Sequence, residues 1–139
     1  DKGATLQVWS EMVKQFIGLH STNEQMKPFI AGLMAAAGDL ERATGYIAKH
    51  AANSPDLVGA ASMAYMQLFG ISALAWMWAR IAATSLAALE KGTDEVSFYQ
   101  AKLKTGTFYM SYWVSQTRSL RKQIETSSEH IVAFEDADF

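Results

Sequence analysis

Apolar residues recur along this chain at alternating three- and four-residue steps, and the steps persist through four long segments. Leu6, Trp9, Val13 and Phe16 share one face of a helix predicted from about Ala4 to Leu19. The run Gly18 to Asn23 supplies turn chemistry. A second helix is predicted from about Glu24 to His50, with Pro28 in its first turns. Its stripe is Met26, Ile30, Leu33, Ala37, Leu40, Thr44 and Ile47; Asp39, Glu41, Arg42 and Lys49 fall off it and read as solvated. The stretch Ala51 to Asp56 is punctuation: Ser54 suits an N-cap, Pro55 the first helical position, and Asp56 the positive helix end. A third helix follows to about Lys91 and stops at Gly92. Thr93 or Asp94 caps a fourth, predicted as one continuous helix to about Ser128 with Tyr99, Leu103, Gly106, Met110, Trp113, Thr117, Leu120 and Ile124 facing inward. The acidic tail from Ile131 to Phe139 reads as extended or frayed.

Four stripes joined by three short connections predict an all-α fold, an antiparallel up-and-down bundle of about four helices. The chain of 139 residues fits one domain and is large enough to hold a core without staples. The third segment changes the picture, because Leu57 to Ala79 carries no charge. A membrane span needs about 20 such residues. Gln67, Ser62, Ser72, two glycines and much alanine weaken that reading, and the flanks lack clustered Lys and Arg. The segment therefore reads as the central helix of a bundle, apolar all round because it is covered all round, with no membrane span. Any surplus of apolar surface would be an interface with another subunit or a parent enzyme.

Composition excludes more than it selects. With no cysteine there is no disulfide framework and no thiolate metal site, in keeping with a cytoplasmic location. A formal net charge of −2 gives no nucleic-acid footprint. Asp1-Lys2-Gly3-Ala4 has no initiator Met and no signal-peptide pattern, so the chain reads either as a cut from something longer or as a chain trimmed at its start. His20, His50 and His130 lie near helix ends, and none has a carboxylate at the Glu-x-x-His spacing of di-iron bundles. Glycine-rich dinucleotide loops, Walker loops, His-Glu-x-x-His and Gly-x-Ser-x-Gly are all absent from the sequence. No residue of the sequence stands out as catalytic, cofactor-binding or metal-ligating.

Trp76, Trp78, Phe98, Tyr99, Phe108, Tyr109, Tyr112 and Trp113 make the third and fourth helices rich in aromatic rings, and they read as core. Gly106 lies on the inward stripe and is predicted to admit a bulky side chain from a facing helix. Arg80 is the single charge between Asp56 and Glu90. It is either an internal ion pair or rim charge, or a contact for a partner's phosphate or carboxylate.

Tyr65-Met66-Gln67-Leu68-Phe69-Gly70 followed by Ala75-Trp76-Met77-Trp78-Ala79-Arg80 resembles the third helix of the C-terminal extension found in a subgroup of acyl-CoA dehydrogenases. Ser97 to Leu103 with Thr107-Phe108-Tyr109 is similar to the next helix of that extension, and Leu40-Glu41-Arg42-Ala43-Thr44 to the preceding one. The tail ending Asp138-Phe139 is similar too. The resemblance covers nearly the whole chain, and it implies a parent flavoenzyme, active in fatty acid metabolism, that oxidises acyl-CoA to 2,3-enoyl-CoA with FAD. A glutamate base and the flavin segments would lie in the preceding domains. Glu41, Glu90, Glu95, Glu125 and Glu129 are not that base. The resemblance further implies a homo-oligomer, electron transfer flavoprotein as electron acceptor, and a fragment inert by itself, with Arg80 the first candidate for a partner contact. The alternative is a stand-alone helical module that binds a protein helix or an acyl chain.

Overall fold

The computed structural model of the chain describes residues 3–131 and 133–139. Among these residues there is no strand. Helix α1 is Ala4–His20, α2 Lys27–His50, α3 Pro55–Glu90, α4 Val96–Tyr112 and α5 Thr117–Ile131. The last two are joined through Trp113 and a 3₁₀ turn at Val114–Gln116, so they form one interrupted rod as long as α3. The described residues thus make four helical rods running up and down. The chain entering α2 first makes a 3₁₀ turn, Glu24–Met26, where the Asn23 side chain accepts from the Gln25 N–H at 2.9 Å. Pro28 then sits in the first turn of α2, where a missing N–H does no harm.

The α3–α4 turn is closed as its sequence predicts. Gly92 adopts φ 77°, its N–H donates to Leu89 O at 3.1 Å, and the Thr93 N–H donates to Ala88 O at 3.2 Å. Ser54 stands at the N-cap of α3 but makes no side-chain cap. Neither Thr93 nor Asp94 begins α4. The Thr93 hydroxyl accepts from the Glu95 N–H at 3.2 Å, and Glu95 holds the N-cap position.

Two apolar clusters fill the interior. One gathers Val13, Met26, Phe29, Ile30 and Leu33 with Ala75, Trp76, Ala79, Tyr109, Met110 and Val114. The other joins Leu40, Ala43, Leu57, Ala61, Leu68, Leu120 and Ile124. Helices α2, α3 and the α4–α5 rod pack mutually. α1 lies along α2, with Phe16 edge-on to Trp76 at 5.1 Å between ring centroids. At Gly106 α4 closely approaches both α2 and α3. A Cβ there would stand 2.8 Å from Phe29 Cε1 and 3.2 Å from Trp78 Cε3. Replacing Gly106 by leucine should therefore destabilise the fold by about 2 kcal/mol, overpacking outweighing the gain in helix propensity. Urea unfolding of the variant measures this, and a stability equal to wild type would refute the close fit.

Several sequence expectations need correction. The fourth helix is not continuous. Where α-helix gives way to 3₁₀, the inward position is Val114, and Trp113 is 44% exposed instead of core. Among the aromatic rings, Trp76 and Tyr109 are buried and Trp78 and Tyr99 half-buried, while Phe98, Phe108 and Tyr112 are exposed. Asp39 is not solvated but 7% exposed. The tail is not simply extended: Asp136–Asp138 forms a 3₁₀ turn in which the Glu135 N–H donates to Asp138 Oδ2 at 2.9 Å. Asp1 and Lys2, read as the start of a cut or trimmed chain, and Val132 in the tail lie outside the described residues. Finally, α3 is not covered all round.

Candidate docking surface

Helix α3 has one packed side and one bare side. Leu57, Ala61, Leu68, Ser72, Ala75, Ala79, Ala82 and Ser85 follow three- and four-residue steps and are buried. The two serines lose little by burial, because Ser72 Oγ donates to Leu68 O at 2.8 Å and Ser85 Oγ to Ile81 O at 2.7 Å. On the opposite side Gly59, Met63, Met66, Gly70, Leu74 and Met77 follow the same steps and face outward. Met63 is 69% exposed, Met66 72% and Leu74 52%. An apolar stripe of this length on one helix is larger than scattered surface leucines and methionines explain. By length and composition alone α3 could also cross a membrane.

The stripe borders an apolar cleft of about 690 Å³ between the end of α2 and the start of α3. Ile47, Ala48, Val58, Tyr65, Met66 and Phe69 line it. Of its hydroxyls, Thr44 Oγ1 and Tyr65 OH are hydrogen-bonded to each other at 2.8 Å, Thr44 also donates to Leu40 O, and Ser62 Oγ donates to Gly59 O.

The other end of the stripe is closed by α4. A smaller cleft of about 360 Å³ is lined there by Met77, Arg80, Ile81, Thr84, Phe98 and Lys102, among others. Arg80 is exposed, its guanidinium carbon 5.6 Å from the Trp76 ring centroid. Lys102 Nζ lies 4.9 Å from the Phe98 centroid. Among the described residues neither cation forms an ion pair, so of the two structural readings of Arg80 the rim charge is the one observed.

Several other titratable groups have structural roles. His20 closes α1 and His50 closes α2, where its Nδ1 lies 2.9 Å from Tyr46 O. His130 lies in the last turn of α5. Glu41 accepts from Ser10 Oγ and lies 3.9 Å from Lys14 Nζ. Asp39 holds α2 to α5: it accepts from Thr117 Oγ1 and from Arg121 Nε, both at 2.9 Å. Arg121 also donates to both Glu125 oxygens, at 2.7 and 2.9 Å. Glu125 first and Asp39 next hold the guanidinium pKa above its ordinary value. Burial raises the Tyr109 pKa, and its hydroxyl donates to Ile71 O at 3.1 Å. No group of three His, Asp or Glu among the described residues could hold a metal. Sequence reasoning missed Asp39 and Lys102. A signal for Asp39 was available, since it lies three residues after Ala36 and four before Ala43, two small inward positions. Lys102 carried none, because its neighbour Phe98 was read as core.

The chain has recognisable relatives. A family described as acetyl-CoA dehydrogenase C-terminal like matches residues 9–135. The chain is also 30% identical over 147 residues to the broad-specificity linear acyl-CoA dehydrogenase FadE5 of Mycobacterium tuberculosis. That alignment takes in 100% of this chain and 24% of the relative, so the chain spans about a quarter of the relative's length.

Proposed function

This chain belongs to the acetyl-CoA dehydrogenase C-terminal-like family, and from that premise we propose that it serves as the helical docking domain of an FAD-dependent acyl-CoA dehydrogenase. The observation that carries the reading is the bare apolar stripe of α3. Water contact with this surface is unfavourable by about 25 cal/mol per Å² of apolar area, and a packed protein surface removes it. The dehydrogenase body of the same polypeptide is the nearest candidate, since attachment gives it a high effective concentration. The same argument favours docking over a membrane span for α3, because Leu68, Ser72, Ala79 and Ser85 on its other side are already packed.

The apolar cleft beside the stripe does not suit FAD. It offers apolar side chains and the hydroxyls of Thr44, Tyr65 and Ser62, all already hydrogen-bonded within the protein, with no cation for a pyrophosphate. No catalytic step is therefore assigned to this chain. In the proposed enzyme the flavin and the base that takes the substrate's α-proton belong to the preceding domains. The same reading makes the enzyme a cytoplasmic homo-oligomer with electron transfer flavoprotein as acceptor, and the absence of cysteine is compatible with a reducing compartment.

The test is to isolate the native gene product from its own cell. A protein several times longer than this chain, yellow and bleached by an acyl-CoA, is the expected result. A colourless product of this chain's own size would overturn the proposal. The apolar cleft would then favour a stand-alone module, and a fluorescent fatty acid that saturates it would be the ligand to try.

A further inference from the structure

We infer that the cleft bearing Arg80 and Lys102 is the seat for carboxylate side chains of the dehydrogenase body, fixing the position of the apolar stripe along its docking partner. The inference rests on the docking reading above and adds the partner's chemistry. Apolar contact along α3 is non-directional, and Gly59, Met63 and Met66 are repeated in outline by Gly70, Leu74 and Met77, so a shift by about three helical turns exchanges one set of apolar sites for another. A charged end removes that degeneracy. Arg80 and Lys102 are the two cations lining the cleft at this end, and each lies near an aromatic face instead of a carboxylate.

That arrangement suits a pair of cations awaiting an anion. The ring keeps each side chain in place, and the ion pair then needs less ordering on binding. The surroundings select a carboxylate. Met77, Ile81 and Phe98 line the cleft and pack around the methylene groups of a bound Asp or Glu, and the Thr84 hydroxyl adds a donor. Glu90, Asp94 and Glu95 outnumber Lys91 at the same end of the bundle and disfavour a doubly charged phosphate more than a single carboxylate. The guanidinium fork of Arg80 matches a carboxylate in two-point contact.

The test uses the full-length enzyme and reads the rate of limited proteolysis between body and helical domain. Arg80→Glu with Lys102→Glu should raise cleavage about tenfold, as expected for losing charge pairs at an interface rim. Raising salt should do the same to the wild type but little to the variant, whereas Arg80→Lys with Lys102→Arg should stay within a few-fold of wild type. Met66→Asp serves as the control for docking itself. If Met66→Asp releases the domain and the double charge reversal leaves both cleavage and its salt dependence at wild-type values, the carboxylate seat is wrong while docking stands. If neither variant alters cleavage, the docking reading falls with it.

Discussion

Met66→Asp should leave the fold of the bundle intact and yet detach it from the dehydrogenase body proposed as its partner. The side chain is 72% exposed, so within the bundle the change should stay within about 0.5 kcal/mol. At a packed interface the same aspartate is an uncompensated buried charge, a loss of about 3–5 kcal/mol. Docking should weaken by at least about a hundredfold on that basis. Calorimetry of the full-length protein reads the difference. Wild type should show the helical domain unfolding together with the body, and the variant should show it as a separate, earlier transition. A single transition at the wild-type temperature would mean that this face of α3 is not the docking face.

The second large effect concerns Asp39. Asp39→Ala should destabilise the bundle by about 3 kcal/mol, because the carboxylate is buried and accepts from both Thr117 and Arg121. Arg121 keeps Glu125 and Thr117 keeps Val114 O, which places the loss at the lower end for a broken buried pair. Adding Arg121→Leu to Asp39→Leu should recover part of the loss, since apolar replacement of both partners removes the stranded charge. Urea unfolding with unchanged slope is the measurement, and a loss below about 1 kcal/mol for Asp39→Ala would show that the α2–α5 link contributes little.

These two residues also mark what was and was not legible in the sequence. Periodicity placed α1, α2 and α3 within a residue or a short turn of where they lie, because Pro28, Pro55 and Gly92 punctuate the chain by backbone geometry that context rarely overrides. The break at Val114–Gln116 has no proline or glycine to announce it, and Trp113 looks as inward as Val114 in an apolar count. Asp39 was misread because charge predicts solvent unless a partner is known, and its partners lie 78 and 82 residues away. Phe98, Phe108 and Tyr112 were misread for a different reason. An apolar residue awaiting a partner surface and one in a core have the same composition, and only packing separates them. The candidate surface was therefore half legible: its excess of apolar residues could be counted, but not which side of α3 carried them.

The matched lengths of α3 and the α4–α5 rod bear on how the bundle assembles. Their turn is short, with Gly92 already in the left-handed conformation the reversal requires. Loop closure is then met once, at the tip, and each later contact between the rods joins residues whose neighbours are already paired. Assembly can proceed like a zip, from Ser85 facing the start of α4 toward Leu68 and the Leu120–Ile124 stretch, on the fast timescale typical of helical hairpins. While it proceeds, the methionine side of α3 stays open to solvent, so the chain must hold off self-association until its covering surface arrives.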